Sequence, residues 1–350
     1  MIRSIARRTL ISALDGITSL LPRRNGMVLC LHSVIPEGRT PGVSQLAVNS
    51  DFLERMIVDL RRRGIDLVSL DEALRRLGRT DAKPFVALTF DDGYRDNHDV
   101  AFPLFLRHKV PFAVFLTTGF IDRRYPIWWH ILEHLIERND AIDLEGMRLP
   151  AATPAEKTAA YETAQSHFRR LAPEAICPTL DRMVARHRSD LPPNGAYEAA
   201  MDWDMVRTMS DSGLATFGCH TVSHPVLGQL GRKAVFDEVL ACRDRFQQAT
   251  GRPPAYFAYP FGRDHEVGDI APAAVCDAGF VAAFTTMPDI LSVDNLDHPN
   301  LIPRITISPT NQSETMVRIY LSGIPSAIRR VKQAAGRQRQ PQPGLEPAQQ

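Results

Sequence analysis

Short apolar runs recur along this chain with helical patterns between them, and that alternation restricts its fold more than any other feature. Strand-like runs stand at Met27–Leu31 (MVLCL), Phe85–Phe90 (FVALTF) and Pro111–Thr117 (PFAVFLT). Further strands are expected at Ala215–Cys219, Tyr256–Tyr259, Val281–Thr285 and Leu301–Ile307. Ser50–Arg63 reads as an amphipathic helix with Ser50 as its cap, and Arg232–Thr250 and Pro272–Ala278 also read as helices. Strands alternating with helices specify a parallel α/β architecture. About seven strands is closer to a barrel than to a small open sheet.

Residues 122–200 break the rhythm. RRYPIWWHILEHLIERND leads into a long Ala-rich, charged stretch, expected to form a helical insertion over one mouth of the barrel. The domain so bounded runs over residues 27–335. With 350 residues, 44% of them hydrophobic, the chain can bury a sizeable core. Its net charge of +1 and its lack of any binding motif give no support to a nucleic-acid role. Five cysteines without a C-x-x-C read as reduced thiols rather than as a disulfide framework.

Residues 1–26 are basic at both ends, with Ile2, Ile5, Leu10, Leu14, Ile17 and Leu21 at roughly helical spacing. They lack the long apolar core and cleavage site of a secretory signal. No segment reaches the roughly 18 apolar residues of a membrane span. Arg3, Arg7 and Arg8 suit contact with anionic lipid, so a peripheral helix is one expectation and a helix packed on the domain's own flank the other. The tail over 336–350 is polar and proline-rich, with the composition of a disordered segment.

Two stretches carry chemistry. TFDDG, residues 89–93, puts Asp91 and Asp92 at the end of an apolar run, just before a glycine. HTVSH, residues 220–224, puts His220 and His224 four apart after another such run. Two neutral imidazoles and a carboxylate with open positions left are a common catalytic metal set. One aspartate can ligate the ion while the other serves as general base. Active sites of parallel β/α folds gather at the carboxyl ends of strands, which is where both motifs fall.

As a pair, TFDDG and HTVSH resemble the polysaccharide deacetylases of carbohydrate esterase family 4, the NodB homology domain. AYPFG, residues 258–262, resembles the family's third motif. The resemblance spans about residues 27–310 and implies a distorted (β/α)7 barrel with a helical insertion. It implies Asp92, His220 and His224 as ligands of a divalent ion, most often Zn2+, with Co2+, Ni2+ or Mn2+ as alternatives. It implies Asp91 as general base, and the Phe261 N–H as a donor to the oxyanion, with Tyr259 and Pro260 lining the substrate groove. Trp129 and Trp203 are candidates for stacking on a sugar, since Trp128 and Trp129 on one helix are not expected to face one core. The family's third motif carries an arginine that holds the catalytic aspartate, and Ala258 occupies that place. Arg304 is a substitute from another strand, grouped with the substrate-facing residues. The family's acid histidine has two candidates. His298 precedes its strand, whereas His32 ends the first strand-like run, as in exopolysaccharide-type relatives, and is preferred.

The expected activity is metal-dependent removal of N-acetyl groups from an amino sugar of a polysaccharide or glycolipid. The alternatives are a related deformylase or amidase, an O-acetyl esterase, and a non-catalytic glycan-binding barrel. The expected partners are a glycan or lipid-linked amino sugar and no nucleic acid, met in the cytoplasm or at the inner membrane surface.

Overall fold

The computed structural model describes residues 26–77, 79, 83–187 and 195–329. The N-terminal helix expected before residue 26 and the tail from Gly336 lie outside them. The strands in chain order are β1 (Gly26–Leu31), β2 (Ser33–Ile35), β3 (Ala47–Asn49), β4 (Asp66–Val68), β5 (Phe85–Phe90) and β6 (Phe112–Leu116). They continue as β7 (Ala141–Leu144), β8 (Met147–Pro150), β9 (Ala215–Cys219), β10 (Tyr256–Ala258), β11 (Ala282–Phe284) and β12 (Ile305–Thr306).

One parallel sheet follows the order β11-β10-β9-β6-β5-β1-β12. A parallel bridge between Phe284 and Ile302 joins its two edges, so seven strands curl into a distorted barrel. β4 pairs with the first half of β5 and β6 with the second half. Every residue of β1, β5 and β6 is buried. Strands covered on both faces read as unbroken apolar runs, which is why these were legible.

The two faces of the sheet pack into separate apolar clusters. Met27, Leu29, Leu31, Val86, Leu88, Phe90, Val114 and Leu116 face outward into the large core beneath the helices. Val28, Ala87, Ala113, Ala258, Ala282, Phe115 and Phe284 fill the lumen. Period-two alternation then carries the inward column of β5 through Thr89 to Asp91, and that of β1 through Cys30 to His32. Both site residues are continuations of the barrel's filling.

Several expected bounds shift. The helix at Ser50–Arg62 has Asn49 in its cap position, so Ser50 is its first residue and not its cap. The last strand shrinks to Ile305–Thr306 behind a 3-10 turn at Pro299–Leu301, because Pro303 has no N–H for a ladder. Residues 122–200 hold helices at Trp128–Arg138, Pro154–Phe168 and Pro173–Arg186, and also the antiparallel β7–β8 hairpin. No helix among the described residues is long and apolar enough to cross a membrane.

Candidate active site

The turn after β5 resolves how adjacent aspartates reach one cavity. Asp91 keeps extended alternation, while Asp92 takes φ +72° and Gly93 φ +80°. That left-handed pair turns Asp92 back toward the side Asp91 faces. A side chain at Gly93 would strike Ile121 and Leu116, its Cβ lying 2.9 and 3.0 Å from them. Thr221 (φ +66°), His224 (φ +59°) and Phe261 (φ +60°) share the strained conformation. Such residues cost roughly 1–3 kcal/mol each, and they persist where the surrounding structure over-determines them.

Asp92, His220 and His224 converge as the sequence predicts. Asp92 Oδ1 stands 3.5 Å from His220 Nε2 and 3.2 Å from His224 Nε2, all three groups being buried. His220 Nδ1 donates to the Ala258 carbonyl at 2.7 Å, which leaves the Nε2 lone pair aimed at Asp92. Burial lowers the His220 pKa to about 4, so the ring is neutral at neutral pH. Asp92 Oδ1 has no hydrogen-bond donor. With His224 protonated at Nδ1, three electron-pair donors face one point and repel one another unless a cation lies between them. Ligands about 2.0–2.1 Å from a tetrahedral ion stand roughly 3.3 Å apart, which is the observed spacing. The donor set therefore fits a divalent ion.

The loop between the histidines is held from outside by Glu238, a residue the sequence reading missed. Its carboxylate accepts from Val222 N at 2.8 Å, Ser223 N at 3.0 Å and Ser223 Oγ at 2.5 Å. Thr221 Oγ1 accepts from His224 N at 3.1 Å. Nothing local marks Glu238, which sits within the Arg232–Thr250 helix.

Asp91 is held differently. Arg304, fully buried, donates to its Oδ1 at 2.7 Å and Oδ2 at 2.6 Å. Arg304 also donates to Thr89 Oγ1 and the Thr285 carbonyl, both at 3.1 Å. Burial alone would raise the Asp91 pKa. Arg304 and His220 outweigh it and hold the carboxyl below the usual range. The Cys30 thiol donates to Asp91 Oδ2 at 3.4 Å, a contact the sequence did not suggest. Cys30, a His32 nitrogen and Asp91 also lie within 4.8 Å of one another. Burial pushes the Cys30 pKa well up, so it stays a thiol and makes a poor metal ligand. Three donors occupy the two Asp91 oxygens, leaving acceptor capacity toward the cavity it lines.

That cavity, about 80 Å³, is lined by His32, Asp91, Asp92, Trp128, Trp129 and Phe261 among others. His32 Nδ1 is buried without a partner, and the His32 carbonyl accepts from Asn97 Nδ2 at 2.8 Å. His298 is exposed in the turn before Pro299 and does not line the cavity. Trp129 lies 5.0 Å from the His224 ring and donates to Tyr94 Oη at 2.5 Å. Among the described residues no acceptor takes the Phe261 N–H.

Other placements correct the sequence reading. Trp203 does not line the cavity. It donates to Asp122 at 2.7 Å and lies under Arg245, because its helix packs on the outer Arg232–Thr250 helix. Tyr259 is fully buried and donates to the Asn300 carbonyl at 2.8 Å, and Pro260 is buried beside it; neither lines the cavity. Arg304 lies behind Asp91 rather than facing substrate. Trp128 and Trp129 do share one core, since the inserted helices cover what would otherwise be solvent: Trp128 stacks on Phe168 at 5.4 Å and Trp129 packs edge-on against Phe120 at 5.7 Å.

The fold recurs in solved structures. A Streptococcus pyogenes deacetylase, PplD, in complex with acetate, aligns with TM-score 0.56 at 17% identity, over 85% of this chain and 99% of that one. IcaB from Ammonifex degensii aligns with TM-score 0.54 at 19% identity, over 85% and 97%. A de-N-acetylase from Aggregatibacter actinomycetemcomitans aligns with TM-score 0.55 at 16% identity, over 84% and 99%. No curated protein matches the chain. The family model for polysaccharide deacetylase matches residues 78–280, a span that takes in both the D-D-G turn and the H-T-V-S-H loop. With more than half of its length under that match, this chain belongs to the polysaccharide deacetylase family.

Proposed function

We propose that this protein removes the N-acetyl group from an amino sugar in a glycan, with Asp92, His220 and His224 holding a divalent ion. The observation that carries this reading is the shared pocket: three buried donors converge beside a carboxylate that Arg304 keeps ionised. A divalent ion bound there would lower the pKa of water and polarise the acyl carbonyl. The donor set suits zinc first.

Asp91 accepts the proton of the attacking water. As the water oxygen bonds to the carbonyl carbon, the Phe261 N–H donates to the oxygen that gains charge. His32 protonates the departing nitrogen as the carbon–nitrogen bond breaks. Acetate and a free amine result. Trp129 and the Phe261 ring, 4.8 Å from His224, wall the acyl group. The de-N-acetylase among the similar structures supports the choice of N-acetyl.

The test is metal content and acetate release from an N-acetylhexosamine oligomer, for wild type and His220→Ala. Wild type is expected to hold about one ion per chain and the variant to lose both ion and turnover. A variant that hydrolyses as well as wild type would end the metal reading. Formate in place of acetate from an acylated sugar would point to the deformylase alternative. Glu238→Ala is expected to lower ion affinity about 10–100-fold by freeing the loop between the ligands. Chelator competition measures this, and an unchanged affinity would remove Glu238 from the site's support.

A further inference from the structure

The catalytic pocket opens into a second cavity of about 720 Å³, with His32, Leu46, Phe261 and Thr286 common to both. A group attached to the reacting acylamino nitrogen has room to extend into it. Its walls carry three guanidinium groups, Arg169, Arg263 and Arg329, against one carboxylate, Glu266. The formal excess is two positive charges, although the whole chain carries only +1. The charge is local to this groove.

Glu266 is already satisfied. It is buried, pairs with Arg169 and accepts from Arg263 N at 2.8 Å. Arg169 is fixed between that carboxylate and the Phe261 ring, 4.2 Å from its centre. Among the described residues no carboxylate pairs with the side chain of Arg263 or Arg329. Two guanidinium groups with no carboxylate partner among the described residues, lining one cavity with a pinned third, make a receptor for a polyoxygen anion. Met287, Pro288 and Tyr320 give the same cavity an apolar wall.

We infer that this groove binds an anionic substituent, phosphate in class, carried by the acylated amino sugar, and so selects charged over neutral substrates. The inference rests on the deacetylase reading for its catalytic consequence only. Binding tests it separately. The shared chemistry is a sugar phosphate, whether lipid-linked or part of a charged soluble glycan.

The experiment uses the full-length, metal-loaded protein with methyl N-acetylglucosaminide, N-acetylglucosamine 1-phosphate and its decyl phosphodiester. Titration calorimetry and acetate release are both recorded, at low and high salt. The 1-phosphate is expected to bind about tenfold or more tightly than the neutral glycoside. That advantage should shrink in high salt and be lost in Arg263→Gln/Arg329→Gln. The ratio of kcat/KM for charged over neutral substrate should fall with it. Equal binding of charged and neutral sugars, or an advantage untouched by the double substitution, overturns the inference. Preferential phosphate binding without acetate release from any of the three would strike the deacetylase reading and leave the groove standing. A further gain with the decyl diester assigns a lipid-linked source; no further gain assigns a soluble one.

Discussion

Asp91→Asn is expected to leave the divalent ion bound and to cut acetate release by about 10²–10⁴-fold. The separation follows from the geometry. The donors proposed for the ion are Asp92 Oδ1 and two imidazole nitrogens, and Asp91 is not among them. Asp91 instead faces Arg304 and Cys30 on one side and the cavity on the other. An asparagine there keeps the shape and removes, among the described residues lining the pocket, the carboxylate not assigned to the ion. Metal stoichiometry and acetate release on the same preparation check the prediction, and the bound ion itself reports that the variant is folded. A loss of turnover under about threefold would remove Asp91 from the base role. Loss of the ion along with activity would instead make Asp91 part of the metal site.

Much of this arrangement was readable in the residues. Continuous apolar runs marked β1, β5 and β6 because both faces of each are covered. The D-D-G turn and the H-T-V-S-H loop were local in sequence, so Asp91, Asp92, His220 and His224 could be named before their meeting point was known. The Arg304–Asp91 pair spans 213 positions and was read only as a substitution for a missing arginine. What failed was orientation across the fold. Trp203, Tyr259 and Pro260 look like sugar-binding residues by type, but only tertiary packing decides which wall a side chain meets. Glu238 gave no signal because its partners lie fifteen and sixteen residues away on a different element. The β7–β8 hairpin did leave one. Glu145-Gly146, with φ +50° and +92°, links two short runs as a two-residue turn does, and the helical character of its surroundings masked it.

The second large effect concerns stability. Arg304→Leu is expected to destabilise the metal-free protein by about 3–5 kcal/mol at pH 7.5, because it leaves the Asp91 charge buried without its partner. The pH dependence should change sign as well. In the wild type Arg304 holds the folded Asp91 pKa below the unfolded value of about 3.9. That stabilisation is fully present above about pH 4 and is lost only as pH falls through the folded pKa. Without Arg304, burial dominates and raises the folded pKa above the unfolded one. The protonated form is then the stable one, so the variant loses stability as pH rises through that raised value. Urea unfolding between pH 5 and 8 should therefore show the gap from wild type narrowing toward the acid end. Asp91→Asn added to Arg304→Leu removes the stranded charge, so the double variant should regain stability at pH 7.5 and lose the extra pH slope. A gap under about 1 kcal/mol, or one that stays constant across this range, would mean that Arg304 fills the lumen without governing the charge on Asp91.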